Sequence, residues 1–198
     1  MKGILFVLSG PSGTGKGTVC KEVLKRNKNI FLSVSATSRP IRDGETEGET
    51  YYYVSKEKFI DMIDNGEMLE YAVFNGNYYG TPKHAVYKLI ESGRDVLLEI
   101  EPQGAAQVRK LFPEAELIFL LPPSMIELKQ RLVSRGRESM DEIKNRLKAA
   151  RWELLQADKY NTQIINDDLD DCVRSVIDYI NTKHNQRQKI DDLLNEEI

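Results

Sequence analysis

The segment from Gly10 to Thr18 is rich in glycine and contains one lysine, Lys16. Glycine residues let consecutive backbone N–H groups turn toward one centre without a Cβ clash, and such donors bind the oxygen atoms of a phosphate chain. The spacing G-x-x-x-x-G-K matches the P-loop, whose lysine reaches the β- and γ-phosphates of a nucleoside triphosphate. We therefore predict that this segment binds a triphosphate through Gly10, Pro11, Ser12, Gly13, Thr14, Gly15, Lys16, Gly17 and Thr18.

The residues on either side of this segment have the pattern that a P-loop requires. The apolar run from Ile4 to Leu8 precedes it, and a stretch with helical periodicity follows it. A helix that begins there directs its unpaired N–H groups and the positive end of its dipole toward the anion. Gly17 stands where the pattern has Ser or Thr, so Thr18 carries the nearest hydroxyl group, and we predict Thr18 as the Mg²⁺ ligand.

Four apolar runs are typical of buried strands, and segments with helical periodicity separate them. They span residues 4–8, 96–100, 117–121 and 163–165. Apolar strands that alternate with helices favour a parallel sheet with helices on both faces. We therefore predict an α/β fold with a single domain over residues 1–198. Its core is predicted to comprise residues 1–34, 85–123 and 157–198.

Two insertions interrupt this predicted core. Residues 35–84 contain short aromatic and β-branched stretches, and Asn75-Gly76 predicts a type I′ turn between two antiparallel strands. In residues 124–156, Ser124-Met-Ile-Glu127 and Ser139-Met-Asp-Glu142 each have the form of a capping box that begins a helix. We expect these two helices to form a lid.

The composition limits the classes of partner. The chain has 198 residues, with 28 basic and 31 acidic side chains and a net charge of −3, which argues against a general nucleic-acid binder. No apolar run reaches membrane-spanning length, so we expect no membrane partner. Cys20 and Cys172 lie far apart without metal-ligand spacing, which favours a reducing, cytoplasmic location. The composition does not decide between a monomer and a homo-oligomer.

A second group of residues has the chemistry to bind a nucleoside monophosphate. Arg39 and Arg42 are close in sequence, and guanidinium groups bind phosphate oxygens through paired hydrogen bonds. Tyr51 and Tyr79 add phenolic donors. Glu70 offers two carboxylate oxygens to the N1–H and N2–H₂ donors of guanine, whereas adenine has a lone pair at N1. Taken singly, the arginines also fit an exposed surface, the tyrosines cross-strand packing and the glutamate a solvent-facing strand position.

In their order along the chain, these motifs resemble the guanylate kinase family. The resemblance continues through Glu99-Ile-Glu101-Pro-Gln103-Gly104, an arginine-containing lid and Asn166-Asp-Asp-Leu169, and it covers nearly the whole chain. It implies a P-loop NTPase core with an inserted antiparallel GMP-binding subdomain and a helical lid. It also implies that ATP phosphorylates GMP and dGMP by direct in-line transfer with Mg²⁺, in purine nucleotide metabolism.

The site residues of that family carry over to matching positions of this chain. The resemblance implies GMP binding by Ser35, Arg39, Arg42, Tyr51, Glu70, Tyr79, Gly80, Thr81, Glu101 and Arg146. It implies further ATP contacts by Arg131, Arg135 and Asn166. It implies catalytic roles for Lys16, Arg39, Arg135 and Arg146. Glu101 stands where the family usually has Asp, and its longer side chain changes the contacts expected with guanine or with the hydrated metal ion.

Two other interpretations remain open from the sequence. Guanylate-kinase-like domains of scaffold proteins at membrane junctions bind peptides and have lost catalysis, although such a domain does not need Lys16. A related P-loop kinase would act on another phosphorylated acceptor, such as a ribose bisphosphate. Glu70, with Ser35 and Thr81, argues against a sugar acceptor, because a sugar makes no use of a carboxylate that faces guanine.

Overall fold

The computed structural model describes residues 2–134 and 139–194. Two β-sheets and a set of surrounding helices make up this part of the chain. The strands, in chain order, are β1 (Leu5–Ser9), β2 (Ile30–Leu32), β3 (Ala36–Thr37), β4 (Tyr52–Tyr53), β5 (Met68–Phe74), β6 (Asn77–Pro82), β7 (Asp95–Glu99), β8 (Glu116–Leu121) and β9 (Thr162–Ile165). The α-helices are α1 (Lys16–Arg26), α2 (Lys56–Asp64), α3 (Lys83–Glu91), α4 (Pro102–Leu111), α5 (Met125–Ser134), α6 (Met140–Leu154) and α7 (Leu169–Leu194).

The larger sheet is parallel throughout and has the strand order β2-β7-β1-β8-β9. It contains the four strands predicted from the apolar runs, and no bound differs by more than one residue. The edge strand β2 was not predicted. Strand β1 lies in the middle of the sheet and is buried along its whole length, which explains its continuous apolar sequence.

Alternate side chains of β1 enter different apolar clusters on the two faces of the sheet. Phe6 and Leu8 pack in a cluster that includes residues of α1 and α7. Leu5 and Val7 pack in a second cluster with residues of α3 and α4. This alternation is the period of two that a strand imposes on its side chains. The predicted α/β fold, with helices on both faces of a parallel sheet, is confirmed.

The smaller sheet has the strand order β4-β3-β6-β5 and lies within the first predicted insertion. Strands β5 and β6 form an antiparallel hairpin, and both turn residues, Asn75 and Gly76, have positive φ angles of 48° and 76°, as a type I′ turn requires. The sheet differs from the antiparallel prediction at one pair, since β3 pairs with β4 in parallel. The long connection between these two strands lets β4 enter the sheet in the same direction as β3.

Both helices that were predicted from capping boxes are present. The Ser139 hydroxyl accepts the N–H of Glu142 at 3.3 Å, and the Glu142 carboxylate accepts the N–H of Ser139 at 2.7 Å. At the start of α5, the Ser124 hydroxyl accepts the N–H of Glu127 at 3.0 Å. Within residues 2–134 and 139–194, no helix is both long enough and apolar enough to cross a membrane.

The buried side chain of Asp95 connects three elements of the core. Its Oδ1 accepts the backbone N–H of Ile4 at 2.8 Å, beside the start of β1. Its Oδ2 contacts Nε2 of His184, which lies on α7. A buried backbone N–H without an acceptor is costly, so this carboxylate contributes to the stability of the sheet that carries the glycine-rich loop.

Replacement of Asp95 by Ala should lower the free energy of unfolding by about 1–3 kcal/mol, because it leaves the Ile4 N–H unpaired. Urea denaturation measures this change. Asp178→Ala is the matched control, since Asp178 is exposed on the same helix as His184, and its stability should not fall. An equal loss in both variants would contradict this role of Asp95.

Candidate active site

The glycine-rich segment forms a loop between the end of β1 and the start of α1, as predicted. Gly10, Gly13 and Gly15 have φ angles of 148°, 94° and 92°, a region that residues with a side chain rarely adopt. Space is also restricted at Gly10, where a Cβ atom would lie 2.4 Å from the carbonyl oxygen of Leu120. The loop therefore depends on glycine for both its conformation and its packing on β8.

Lys16 is the first residue of α1, and its side chain turns back into the loop. Its Nζ donates to the carbonyl oxygens of Gly10 at 2.7 Å and Pro11 at 3.3 Å, and it lies 3.3 Å from Oε1 of Glu101. The ammonium group is buried. The loop thus holds a positive charge at its centre, which is the charge that a polyphosphate requires.

The smaller sheet brings together three residues that were predicted to bind an acceptor phosphate. Arg39 is buried, and its guanidinium carbon lies 5.2 Å from the centre of the Tyr51 ring. The ring of Tyr51 lies edge-on to that of Tyr79, with 6.0 Å between their centres. Arg42 is exposed near this cluster. A guanidinium group and two phenols in one cluster have the donors that an anion-binding site uses.

Glu45 holds this cluster together, and the sequence interpretation did not select it as a site residue. Its two oxygens accept from the two terminal nitrogens of Arg39, at 2.7 and 2.5 Å. It also accepts the Tyr53 hydroxyl and the backbone N–H of Arg42, each at 2.8 Å. The Arg39 guanidinium, as the largest cause, lowers the pKa of Glu45 from 4.5 to about 2. The six-residue spacing of Arg39 and Glu45 in an irregular loop follows no local rule, so the pair was not predictable.

Glu70 lies on β5 and is buried, which raises the pKa of its carboxyl group above 4.5. The Thr81 hydroxyl donates to its Oε1 at 2.7 Å across the β5–β6 pair. Strand β3 pairs Ala36 with Gly80 in the antiparallel direction. Continuing this register by one residue places Ser35 opposite Thr81. The predicted base-recognition residues are therefore neighbours: Glu70 lies on β5, Thr81 on β6, and Ser35 immediately before β3.

Helix α4 connects the glycine-rich loop with the Glu70 pocket. Glu101, immediately before the helix, contacts Lys16, and Gly104 in its first turn packs against the Glu70 carboxylate. Three residues of a helix span about 5 Å, so the two sites are neighbours. Gln107 on the same helix exchanges hydrogen bonds of 3.1 and 2.8 Å with the backbone of Tyr71 on β5, which fixes the helix to the smaller sheet.

The structure also brings predicted residues of the lid and of the β9 end to the loop. Arg146 donates to the Ser12 hydroxyl at 3.3 Å. Asn166 is buried, and its side-chain amide donates to the Thr14 carbonyl at 2.6 Å. Arg131 donates to the Asn166 carbonyl at 3.0 Å and pairs with Glu127. Arg135, predicted to act in catalysis and in ATP binding, lies outside the described residues.

Oxygen donors for a divalent cation lie beside the loop. Thr18 is exposed in the first turn of α1, and a Cβ atom on Gly17 would lie 3.4 Å from Oε1 of Glu99. Among the described residues there is no group of three side chains that would hold a metal ion by itself. Mg²⁺ keeps several waters and uses one or two protein oxygens together with substrate phosphates, so this donor set fits the ion.

The fold and the site together have the features of a P-loop kinase, since a glycine-rich loop with a buried lysine follows the central strand and a second sheet carries the arginine and tyrosine cluster. The family model for guanylate kinase matches residues 2–183. The chain therefore belongs to the guanylate kinase family.

Similar proteins of this family come from several bacteria. Guanylate kinase of Clostridium tetani is 48% identical over 191 residues, which cover 96% of this chain and 91% of that protein. Guanylate kinase of Oceanobacillus iheyensis is 49% identical over 189 residues, with coverage of 96% and 92%. The crystal structure of guanylate kinase from Anaplasma phagocytophilum matches with a TM-score of 0.74 and 33% identity, covering 92% of this chain and 86% of that one.

The low pKa of Glu45 predicts a pH dependence of stability. A carboxyl group whose folded pKa is lowered adds stability above its unfolded pKa of 4.5 and loses it as the pH falls toward about 2. Glu45→Gln should therefore weaken the acid-induced decrease in stability over this range. Urea denaturation at several pH values between about 2 and about 5 measures the difference in the free energy of unfolding.

Glu49→Gln is the matched control, because Glu49 is exposed in the same loop and none of the described residues binds its side chain. Its acid-induced decrease should equal that of the unchanged protein. A parallel decrease in all three proteins would show that Glu45 does not stabilise Arg39.

Proposed function

We propose that the protein transfers the γ-phosphoryl group of ATP to the phosphate of GMP, with ADP and GDP as products. Membership of the guanylate kinase family supports this reaction. The observation that carries the proposal is the buried carboxylate of Glu70, which forms no ion pair with any residue in the described part of the chain. An unpaired buried charge destabilises a fold, so a ligand with matching donors explains its position.

Guanine supplies the donors that Glu70 lacks. Its N1–H and exocyclic amino group both point toward one edge of the base, and a carboxylate accepts from both. Adenine presents a lone pair at N1, which opposes a carboxylate at the same position. A site built on buried hydrogen bonds rejects an analogue that leaves them unpaired by about 10⁴-fold or more. Ser35 and Thr81 would complete the base pocket with hydroxyl groups.

The acceptor phosphate would bind at the Arg39 cluster. Arg39 uses three of its N–H donors on Glu45 and the Pro40 carbonyl, which leaves two of the five donors of a guanidinium group. Tyr51, Tyr79 and the exposed Arg42 would add further donors. Because Glu45 fixes the orientation of Arg39 before the ligand arrives, little side-chain entropy is lost on binding.

Phosphoryl transfer would then proceed by charge neutralisation and alignment. A GMP phosphate oxygen attacks the γ-phosphorus in line, and the bond from that phosphorus to the bridging oxygen of ADP breaks. The nucleophile is already anionic, so no general base is needed. Lys16 would hold the β- and γ-phosphates, and Arg146 on α6 would neutralise charge on the transferred group together with Arg131 and Arg135.

A bound Mg²⁺ would neutralise charge on the triphosphate, and Thr18 with Glu99 would hold it. The residues of this chain would position the substrates and exclude water. Closure of α5 and α6 over the loop would exclude water, which competes with GMP for the γ-phosphoryl group. The contact between Arg146 and Ser12 supports such a closure, because it joins the lid to the loop.

The same geometry supports several finer proposals. The contacts proposed for the acceptor use its base and phosphate, not its ribose 2′-hydroxyl, so dGMP would also be phosphorylated. The smaller sheet supports a GMP-binding part over residues 35–84, and α5 and α6 support a lid over residues 124–156. The remaining residues form the core. Cys20 and Cys172 are both free thiols, in keeping with a role in cytoplasmic purine metabolism.

The first test measures ADP formation from ATP and Mg²⁺ with GMP, AMP, UMP or CMP as the acceptor. We expect turnover with GMP and little with the others. Glu70→Gln should lower kcat/KM for GMP about 10- to 100-fold, because an amide accepts from one guanine donor and opposes the other. The control Glu67→Gln changes an exposed glutamate near the start of β5 and should retain full activity. Absence of turnover with every acceptor would refute the proposed kinase activity.

The raised pKa of Glu70 predicts the pH dependence of kcat/KM for GMP. Protonation removes an acceptor, so this parameter should fall as the pH drops through the raised pKa, above 4.5. The decrease that arises from Glu70 should be missing in Glu70→Gln, whereas any decrease from titration of the GMP phosphate should remain. Identical pH profiles would exclude an ionised Glu70 from GMP binding.

A measurement of stability distinguishes a loss of GMP binding in Glu70→Gln from a loss of folding. A raised folded pKa means that the folded protein binds this proton more tightly than the unfolded chain does, so ionisation of Glu70 removes stability as the pH rises from 4.5 through the folded pKa. At neutral pH, Glu70→Gln should therefore be at least as stable as the unchanged protein. A calorimetric melting curve at pH 7 provides the measurement.

A further inference from the structure

Gly104 lies in the first turn of α4 and is buried against the Glu70 carboxylate. A Cβ atom on Gly104 would lie 2.5 Å from Oε2 of Glu70, 3.2 Å from its Cδ and 3.4 Å from its Cγ. Real Cβ atoms do not approach other atoms as closely as the first of these distances. The Glu70 carboxylate therefore occupies space that is available only because Gly104 has no side chain.

The backbone of α4 does not itself require glycine at this position. Gly104 is helical and is absent from the glycines with positive φ. In the interior of a helix, glycine is less favourable than alanine by about 1 kcal/mol. The reason for glycine is consequently the contact with Glu70 and not the conformation of the chain.

The Glu70 side chain has little freedom to avoid an added methyl group. Its Oε1 is bound by the Thr81 hydroxyl at 2.7 Å, and the residue is buried. Gly80 on the neighbouring strand is also crowded, since a Cβ atom there would lie 2.4 Å from the Glu70 carbonyl oxygen. The carboxylate end is the part that can turn, so a methyl group on Gly104 would change the orientation of the two oxygens while the strand stays in place.

We propose that Gly104 is a positioning residue that determines base specificity, because its missing side chain fixes the orientation in which Glu70 meets the base. The inference rests on the proposed GMP phosphorylation and extends it. Two oxygens that accept from N1–H and from the 2-amino group distinguish GMP from IMP, which has the N1–H but lacks the amino group. Gly104 acts only through Glu70 and does not touch the reacting phosphates.

The test compares Gly104→Ala with the unchanged protein by steady-state kinetics with GMP and with IMP, and by calorimetric binding of each nucleotide without ATP. The variant should lower kcat/KM for GMP about 10- to 100-fold, the effect of one lost hydrogen bond to a charged group. The value of kcat/KM for IMP should fall much less, so the preference for GMP over IMP should decrease. KM for ATP should stay unchanged, since the loop is not altered.

A second variant tests whether the effect passes through Glu70. Glu70→Asp retracts the carboxylate by one methylene group and makes room for the added methyl. Gly104→Ala should therefore change GMP binding less than about threefold in the Glu70→Asp background, which gives a strongly non-additive double-mutant cycle. Ala106→Gly is the matched control on the exposed side of the same helix, and it should leave the GMP preference unchanged.

The outcomes separate this inference from the proposed function. If the unchanged protein does not phosphorylate GMP, the proposed function fails first. If it does, and a folded Gly104→Ala variant keeps the full preference for GMP over IMP, the role of Gly104 is refuted. If Gly104→Ala does not fold, recovery of folding by Glu70→Asp would support the contact. Failure of the double variant to fold as well would assign Gly104 to backbone packing and overturn the inference.

Discussion

The burial of three ionisable side chains is the constraint on which the rest of the candidate active site depends. Lys16, Arg39 and Glu70 are only 8%, 7% and 5% exposed. Removal of a charge from water is strongly unfavourable unless hydrogen bonds or an opposite charge replace the lost hydration. Loop carbonyls and Glu101 surround Lys16, and Glu45 pairs with Arg39. Glu70 has only a hydroxyl group from Thr81 as a described side-chain partner.

Close backbone approach makes this arrangement of charges possible. Strand β1 in the centre of the sheet ends at Ser9, and the next residue, Gly10, packs directly against the β8 backbone, so the loop follows a rigid element. Helix α4 packs its glycine against Glu70 and bonds to β5 through Gln107. The start of this helix contacts both Lys16 in the glycine-rich loop and the Glu70 carboxylate. A displacement of its first turn would therefore move both groups together.

The features that were predictable from the sequence are those with a local physical cause. Glycine spacing, apolar runs, capping residues and the Asn75-Gly76 turn each act within a few residues, and the structure contains all of them. The parallel entry of β4, the partner of Arg39 and the space needed beside Glu70 depend on distances between separate segments. Gly104 was visible as part of a motif, but only the folded chain gives its contact with Glu70 and the pairing of Glu45 with Arg39.

Arg39 and Glu70 would have different roles in the proposed binding of GMP, Arg39 in affinity and Glu70 in specificity. Arg39 is already paired with Glu45 before a ligand binds, and its two remaining donors would meet a phosphate that every nucleoside monophosphate carries, so it would not distinguish among them. Among the described residues, only Thr81 donates to the Glu70 carboxylate, and the base is the part of the ligand that varies. An unsatisfied buried acceptor gains most from the ligand that brings the missing donors and penalises every other one. In the proposed reaction, discrimination between bases would therefore depend on Glu70, and the cost of burying its carboxylate would be the physical origin of base choice.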